Sequence, residues 1–258
     1  MAMSMQYNQS VRDFFKSPKW GMNLLLGGVC MLIPLIGQIL LSGWNITQLW
    51  ARRRADDPPA DQSMGDASAY PEFNFDNFVK YLSRGLWPFL VQLITGLAFA
   101  FVIMIVVIVA AIFITGIAAI IPDLGLVLLV PLLLIGIVFY LALIIALNLV
   151  VVPLGLKATL TQSFNEAFDF TFAKNFIALT WMELIVASLF MFALGIALMI
   201  LAILTLGLGM YFAMPPVVFA WQHLMKQLYL LHLERGGMAV VLSTKLDDLP
   251  PALPQTTQ

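Results

Sequence analysis

The sequence predicts an all-α integral membrane protein with four transmembrane helices, an N-terminal re-entrant helical hairpin and two interfacial amphipathic helices. Of its 258 residues, 61% are hydrophobic and only 10% are charged, whereas soluble domains contain about 25% charged residues. The apolar residues form stretches without any charge, at 86–121, 124–156 and 184–223. In addition, all 13 Lys and Arg residues fall on one side of a membrane if the first apolar segment turns back rather than crosses.

The first apolar segment, residues 20–50, is interrupted near its middle by Pro34 and Gly37. Each half has about 15 residues, and a helix needs about 20 apolar residues to cross a bilayer. Basic residues lie on both flanks of the segment: Arg12, Lys16, Lys19, Arg52, Arg53 and Arg54. A hairpin that turns at Pro34 and Gly37 keeps both flanks on the cytoplasmic side, whereas a straight span separates them. The sequence therefore predicts a re-entrant hairpin.

Four full spans follow the hairpin, at roughly 86–115, 126–152, 178–204 and 209–233. The two outer loops between them contain no Lys or Arg, and the inner segments contain the remaining basic residues. The alternative with five crossings leaves three of the basic residues on the wrong side. We therefore expect a multi-pass protein of the plasma (inner) membrane with both termini in the cytoplasm.

Aromatic residues recur at helical spacing in the two segments that precede the first and third spans. These positions are Phe75 and Phe78 in the first segment, and Phe164, Phe168 and Phe172 in the second. Because polar residues lie between them, each segment predicts an amphipathic helix in the cytoplasmic interface, with its apolar face toward lipid or protein. The alternative is a loop that merely contains aromatic residues.

The two halves of the chain match each other in order and in several residues. Phe78-Val79-Lys80 corresponds to Phe172-Ala173-Lys174, and Trp87 corresponds to Trp181 at the same offset. Both return spans contain proline, for which we expect kinks: Pro131, Pro215 and Pro216. The pattern predicts two copies of one unit, related by an axis along the membrane normal.

The predicted organisation has five parts. They are an N-terminal segment with the hairpin (1–54), a flexible acidic loop (55–71), a first repeat (72–152), a second repeat (160–235) and a cytoplasmic tail (236–258). The loop is predicted to be flexible because it is acidic and rich in proline and small residues.

Several short sequences stand out in the first third of the chain. They are Leu25-Leu26-Gly27-Gly28 after Trp20, Ile33-Pro34-Leu35-Ile36-Gly37, Ser42-Gly43-Trp44, Arg52-Arg53-Arg54, and Pro71-Glu72-Phe73 running to Arg84-Gly85-Leu86. Together they resemble the DUF4013 family of prokaryotic membrane proteins. The resemblance extends over about residues 18–235. It implies a helical membrane protein, and it supplies no catalytic residue because the family has no assigned function.

Few polar groups lie inside the predicted spans, and such groups are candidates for function. Glu183 can bind a cation or a proton, or it can lie at interface depth and pair with a basic residue or a helix N-terminus. Gln92 and Asn148 are expected to form hydrogen bonds between helices.

The sequence contains few residues or motifs that indicate an enzyme. His223 and His232 are nine residues apart on one helix and lack the spacing of paired metal ligands. The chain has one cysteine, Cys30, and none of the sequence motifs of metalloproteases, serine hydrolases or P-loop nucleotide-binding proteins. A net charge of −1 does not favour nucleic acid. We therefore expect no enzymatic activity, no cofactor, no metal and no nucleic-acid partner.

These observations favour a non-enzymatic membrane scaffold or accessory subunit that organises lipid or partner proteins. It would do so by lateral assembly, as a homo-oligomer or with another membrane protein. The alternative is a channel or transporter for a lipid or another poorly charged small molecule. Against this alternative, no charged ring lines the predicted spans.

Overall fold

The computed structural model describes residues 4–50, 73–120 and 122–246, and over these ranges the protein is helical without a strand. Eight α-helices follow one another: α1 (Tyr7–Arg12), α2 (Trp20–Met31), α3 (Ile36–Trp50), α4 (Phe78–Ile120), α5 (Pro122–Thr161), α6 (Phe164–Ala167), α7 (Phe170–Leu204) and α8 (Leu208–Glu234). The predicted acidic loop, 55–71, lies outside the described residues.

Three helical segments are long and apolar enough to cross a membrane: Phe75–Gly116, Leu134–Thr161 and Phe170–Leu204. They coincide with three of the four predicted spans and identify a membrane protein by length and composition. The fourth predicted span, 209–233, corresponds to α8 and is not among them. Its second half contains Gln222, His223, Lys226 and Gln227, which lower the hydropathy of the helix.

The first apolar segment consists of two helices that fold back on each other. Helix α2 has 12 residues and α3 has 15, about 18 and 22 Å at the usual rise, which is less than the roughly 30 Å of a bilayer core. In the turn between them Leu35 has a φ of 66°. A Cβ on Gly37 would meet the carbonyl of Cys30, and one on Gly27 would lie 3.2 Å from Leu41. Because these contacts pair residues symmetrically about the turn, α2 and α3 form an antiparallel hairpin.

The two predicted interfacial helices are not separate elements in the structure. Residues Phe75–Asn77 form a 3-10 turn that leads directly into α4, which continues for 43 residues. The second segment is divided into the four-residue helix α6 and the start of α7, because the Asp169 side chain caps a new helix by accepting a hydrogen bond from the Phe172 amide at 3.0 Å.

Helices α3 and α4 cross in close contact at two glycines. A Cβ on Gly43 would lie 1.7 Å from the carbonyl oxygen of Tyr81, and a Cβ on Gly85 would lie 1.9 Å from that of Ile39. Since backbone atoms occupy the space on both sides, only glycine permits this approach. The contact fixes the hairpin to the start of the first long helix.

The predicted proline positions lie inside helices that continue through them. Pro131 is within α5, and Pro215 and Pro216 are within α8. Each proline removes one backbone hydrogen bond from its helix. Pro215 contacts the hairpin, because a Cβ on Gly27 would lie 2.8 Å from its ring.

The core lies at one end of the molecule, where the hairpin, α8 and the nearer parts of α4, α5 and α7 meet. Its largest fully buried side chains include Trp44, Tyr81, Phe172, Phe176 and Phe219. The start of the predicted tail also belongs to this core. The Ser243 amide donates to the Leu160 carbonyl at 2.9 Å, and Leu246 is buried.

The other ends of the long helices extend away from this core. In the most apolar part of the three candidate spans, the share of buried residues is 0% in α4, 6% in α5 and 17% in α7. Helices α4 and α5 pack against each other. The rest of the described chain leaves most of their apolar surface uncovered.

Candidate functional site

Glu183, the predicted intramembrane acid, pairs with Arg235, which directly follows α8. Arg235 Nη1 donates to Glu183 Oε2 at 3.1 Å, Nη2 contacts Oε1, and the guanidinium also donates to the Leu179 carbonyl. The Glu183 carboxylate raises the pKa of Arg235 above its ordinary value. These contacts support the interpretation of Glu183 as a structural ion pair that fastens the end of α8 to α7.

Replacing Glu183 with glutamine should therefore have a small effect. Both side chains are partly exposed, so the pair contributes about 0.5–1 kcal/mol. We expect the unfolding temperature in detergent to fall by a few degrees at most. Adding Arg235→Gln to the same chain should lower it little further. Glu166→Gln, which removes an exposed acid, serves as the control. A much larger loss of function than of stability would contradict the structural role.

Gln92 and Asn148, the other predicted intramembrane polar residues, do not bond to each other. Gln92 packs over Gly155 of α5, where a Cβ would lie 3.1 Å from its Nε2 atom. Asn148 Nδ2 donates to the Ile144 carbonyl at 3.1 Å, within its own helix. Among the described residues, the hydrogen bond of Asn148 thus stays within α5 and does not reach another helix.

The two histidines of α8 face different surroundings, as their spacing predicts. His232 lies against the rings of Phe172 and Phe176, with centroids at 5.6 and 5.1 Å. His223 faces α1 instead. Among the described residues, no group of three or more His, Cys, Asp or Glu side chains could hold a metal ion.

A buried polar cluster joins α1 and the 3-10 turn after it, Asp13–Lys16, to α8. Ser10 Oγ lies 2.9 Å from His223 Nδ1 and accepts a hydrogen bond from Gln227 Nε2 at 3.1 Å. On the other side of the imidazole, His223 Nε2 is 3.8 Å from Asp13 Oδ2. Ser10, Asp13, His223 and Gln227 are each at most 1% exposed.

The cluster contains serine, histidine and aspartate, and all three side chains are buried between α1, the 3-10 turn and α8. Ser10 is fully buried and donates its own proton to the Gln6 carbonyl at 3.1 Å. The Asp13 carboxylate is drawn toward Lys16, whose Nζ lies 2.6 Å from Oδ1. A nucleophile needs a substrate carbonyl within reach, and this arrangement supplies only contacts between α1 and α8. The cluster therefore holds the N-terminal helix in place.

Sequence reasoning missed this cluster, although a signal was present. His223 and Gln227 are separated by four residues, which places both side chains on one face of a helix. Ser10 and Asp13 are three residues apart in the N-terminal segment. However, the sequence pattern within each segment does not indicate that the N-terminal segment and α8, more than 200 residues apart, pack against each other.

A second buried polar contact connects four elements through Arg84. The guanidinium donates to the Lys245 carbonyl at 3.0 Å from Nε and 2.8 Å from Nη2, and to Thr47 Oγ1 at 3.1 Å. The Arg84 backbone carbonyl accepts from Gln162 Nε2 at 3.2 Å. Arg84 is 2% exposed. It thereby links α3, α4, the end of α5 and the segment after α8.

The five predicted interfacial aromatic residues fall into distinct surroundings. Phe75 is 52% exposed, Phe78 is half-buried, and Phe172 is buried in the core. Phe164 and Phe168 contact each other at 5.1 Å and pack on a small second cluster. Only Phe75 therefore presents a largely exposed ring.

An ion pair lies beside the buried Phe172 ring. Lys157 Nζ is 2.7 Å from Asp169 Oδ2 and 5.0 Å from the ring centroid of Phe172. The hydrogen bond from Lys157, together with those from the start of α7, lowers the pKa of the Asp169 carboxyl below its ordinary value. Asp169 thus joins the end of α5 to the start of α7.

This lowered pKa gives a pH-dependent prediction for Asp169→Asn. A carboxyl whose pKa is lower in the folded state stabilises the fold above its unfolded pKa of about 3.9, and this contribution is lost as the pH falls through the folded value. Asparagine keeps the helix cap. We therefore expect a loss of about 0.5–1 kcal/mol at neutral pH, which vanishes in unfolding measurements well below pH 4. An equal loss at all pH values would contradict this account.

Comparison with known proteins identifies one family over most of the chain. The model of the DUF4013 family, described as a protein of unknown function, matches residues 26–207. This range contains α3 to α7 and the second half of α2. No curated protein and no solved structure matches the chain. Because the family model covers well over half of the sequence, the chain belongs to the DUF4013 family.

Proposed function

We propose that this protein is a non-enzymatic membrane scaffold or accessory subunit that assembles laterally with further copies of itself or with another membrane protein. The observation that carries the proposal is the uncovered apolar surface of α4 and α5. Within the most apolar part of α4, 0% of the residues are buried by the described chain. Lipid or protein can cover the exposed apolar surface of these two helices. A scaffold would use this surface to bind another protein.

The proposed topology has four crossings, with α8 as the fourth. Helix α7 covers about 32 Å between Glu183 and Leu204 at the usual rise, roughly the thickness of a bilayer core. The chain then turns at Leu206 and Gly207, both with positive φ, and α8 runs back until Arg235 meets Glu183. If α7 crosses the membrane, α8 crosses the same layer in the opposite direction.

The charge distribution supports a cytoplasmic position for the core end. Arg84, Lys157, Arg235 and Lys245 all belong to contacts at this end of the bundle. Positively charged residues are enriched on the cytoplasmic side of membrane proteins. Both termini would then face the cytoplasm of a cell whose plasma (inner) membrane holds the protein.

The hairpin fits a re-entrant position in the inner half of the bilayer. Its turn presents apolar side chains outward, with Leu32 and Leu35 each 56% exposed. The opposite face lies against α8, since a Cβ on Gly28 would lie 2.5 Å from the Phe212 ring. Protein on one side and lipid on the other is the setting in which a turn at membrane depth is tolerated.

A channel or transporter for a lipid or another poorly charged molecule is the second candidate. Its support is the repeated order of two long helix pairs, α4–α5 and α7–α8, with prolines inside α5 and α8. We propose that these two helix pairs are the two copies of the internal repeat that the sequence predicts. The predicted polar residues Glu183 and Asn148 are engaged in structural contacts, which favours the scaffold over transport.

The test is the mass of the intact protein extracted gently from its membrane. One chain has a mass of 28.6 kDa. A scaffold should give a fixed multiple of this mass, or a fixed stoichiometry with a second protein. A monomer at every concentration, together with flux of a lipid or small molecule into liposomes, would overturn the scaffold in favour of the transporter.

A further inference from the structure

A groove with a volume of about 730 Å³ runs along α1 and the 3-10 turn after it. It is lined by Asn8, Gln9, Arg12, Asp13, Phe15 and Lys16. We propose that this groove binds the headgroup of an anionic phospholipid. The inference uses the same membrane position of the hairpin as the proposed function, but it does not depend on lateral assembly.

The charge available in the groove is positive. Arg12 is exposed, and among the described residues its guanidinium has no hydrogen-bond or ion-pair partner. The one acid in the lining, Asp13, is fully buried and lies 2.6 Å from Lys16 Nζ. Lys16 therefore neutralises the charge of Asp13, and the Arg12 guanidinium is available to bind an anionic ligand.

The polar lining suits a phosphate group. A guanidinium can donate two parallel hydrogen bonds to phosphate oxygens, and an ammonium adds a point charge. Asn8 and Gln9 supply amide donors on the preceding turn of α1, and neither side chain has a partner among the described residues. Four side chains with hydrogen-bond donors, Asn8, Gln9, Arg12 and Lys16, thus line one exposed groove.

The surroundings of the groove favour a lipid over a soluble phosphate. Phe15 and Trp20 are 43% and 46% exposed, and their rings contact each other at 5.6 Å. Trp20 begins α2, whose outward side chains Met22, Leu25 and Val29 are apolar and exposed, as are Leu32 and Ile33 in the turn that follows. Tryptophan and basic residues concentrate at the level of lipid headgroups. A lipid whose phosphate binds in the groove could therefore place its acyl chains along the apolar surface of α2.

The experiment measures lipid binding to the detergent-purified full chain by native mass spectrometry. Phosphatidylglycerol and phosphatidylcholine with the same acyl chains are titrated separately, and the first bound lipid is counted on each oligomeric species. We expect a preference for phosphatidylglycerol, and we expect Arg12→Glu to weaken it about tenfold or more, since one basic residue contributes about fivefold and the reversal adds repulsion.

The control variant is Lys174→Glu, which reverses an exposed charge on α7 away from the groove. It should retain the preference, and both variants should unfold at the temperature of the unchanged protein. Equal binding of the two lipids, or an equal loss in both variants, would overturn the proposal. Competition by millimolar inorganic phosphate without lipid specificity would assign the groove to a soluble anion instead. Because binding is counted on each species, a failed assembly test leaves this result interpretable.

Discussion

Alanine in place of Gly43 or Gly85 is expected to separate α3 from α4 and to prevent stable folding. The added methyl carbon would lie 1.7 Å from the Tyr81 carbonyl oxygen in the first variant and 1.9 Å from that of Ile39 in the second. Neither clash can be relieved by rotating a side chain, because both obstacles are backbone atoms. Overpacking typically costs about 1–3 kcal/mol and more where the backbone must move, and we expect a loss of at least about 3 kcal/mol.

The matched control for both variants is Gly96→Ala in the same helix α4. A Cβ at Gly96 meets nothing within 4 Å, and alanine is the better helix former. The amount of folded protein and its unfolding temperature in detergent should be unchanged for this control and sharply reduced for the other two. Equal behaviour of all three variants would show that the close crossing of α3 and α4 is wrong.

Loss of the Arg84 guanidinium is expected to have the second largest effect. Arg84→Met removes the bonds to Thr47 and to the Lys245 carbonyl, which lose these donors at a partly buried position. An unsatisfied buried group costs about 1–3 kcal/mol, and bonds to a charged donor are the stronger ones. We expect a total loss of about 2–4 kcal/mol.

The region that becomes sensitive to protease should distinguish the loss of the Arg84 contacts from a general effect of removing a positive charge. Arg84 holds the segment after α8, so Arg84→Met should make residues near Ser243 sensitive to protease before the bundle unfolds. Lys174→Met removes an exposed charge and should do neither. Unchanged protection of the C-terminal segment in Arg84→Met would contradict the contact.

Composition and periodicity were sufficient to predict the class of the protein and the turn in its first apolar segment. Long stretches without charge are typical of membrane helices. Pro34 lies between α2 and α3, and Gly37 lies in the first turn of α3. These features depend on residues close together in the sequence. The family assignment also rested on short local sequences, and the family model supports it.

The aromatic segments show what the local pattern left open. Phe172 recurs at a spacing that fits a helix lying on a membrane surface, yet its ring is buried beside His232. Amphipathicity indicates that one face is covered, but it does not tell whether lipid or protein covers it. The helix boundary at Asp169 depends on a capping bond that the aromatic spacing conceals.

The buried polar contacts were beyond the sequence for a different reason. Ser10 meets His223, and Arg84 meets Lys245, across separations that no local pattern encodes. Their residues are ordinary in composition, and only the fold brings them together. Glu183 was recognisable as a polar group in an apolar helix, but its partner Arg235 was not.

The most direct test of lateral assembly is disulfide cross-linking in native membranes. Phe113→Cys on α4 and Ile203→Cys on α7 place single thiols at positions that are 68% and 69% exposed, in a chain whose buried Cys30 is replaced by alanine. Assembly through α4 and α5 predicts that mild oxidation joins two chains, or a chain and a fixed partner, through position 113 much faster than through position 203. Equally slow cross-linking at both positions would contradict assembly through this surface.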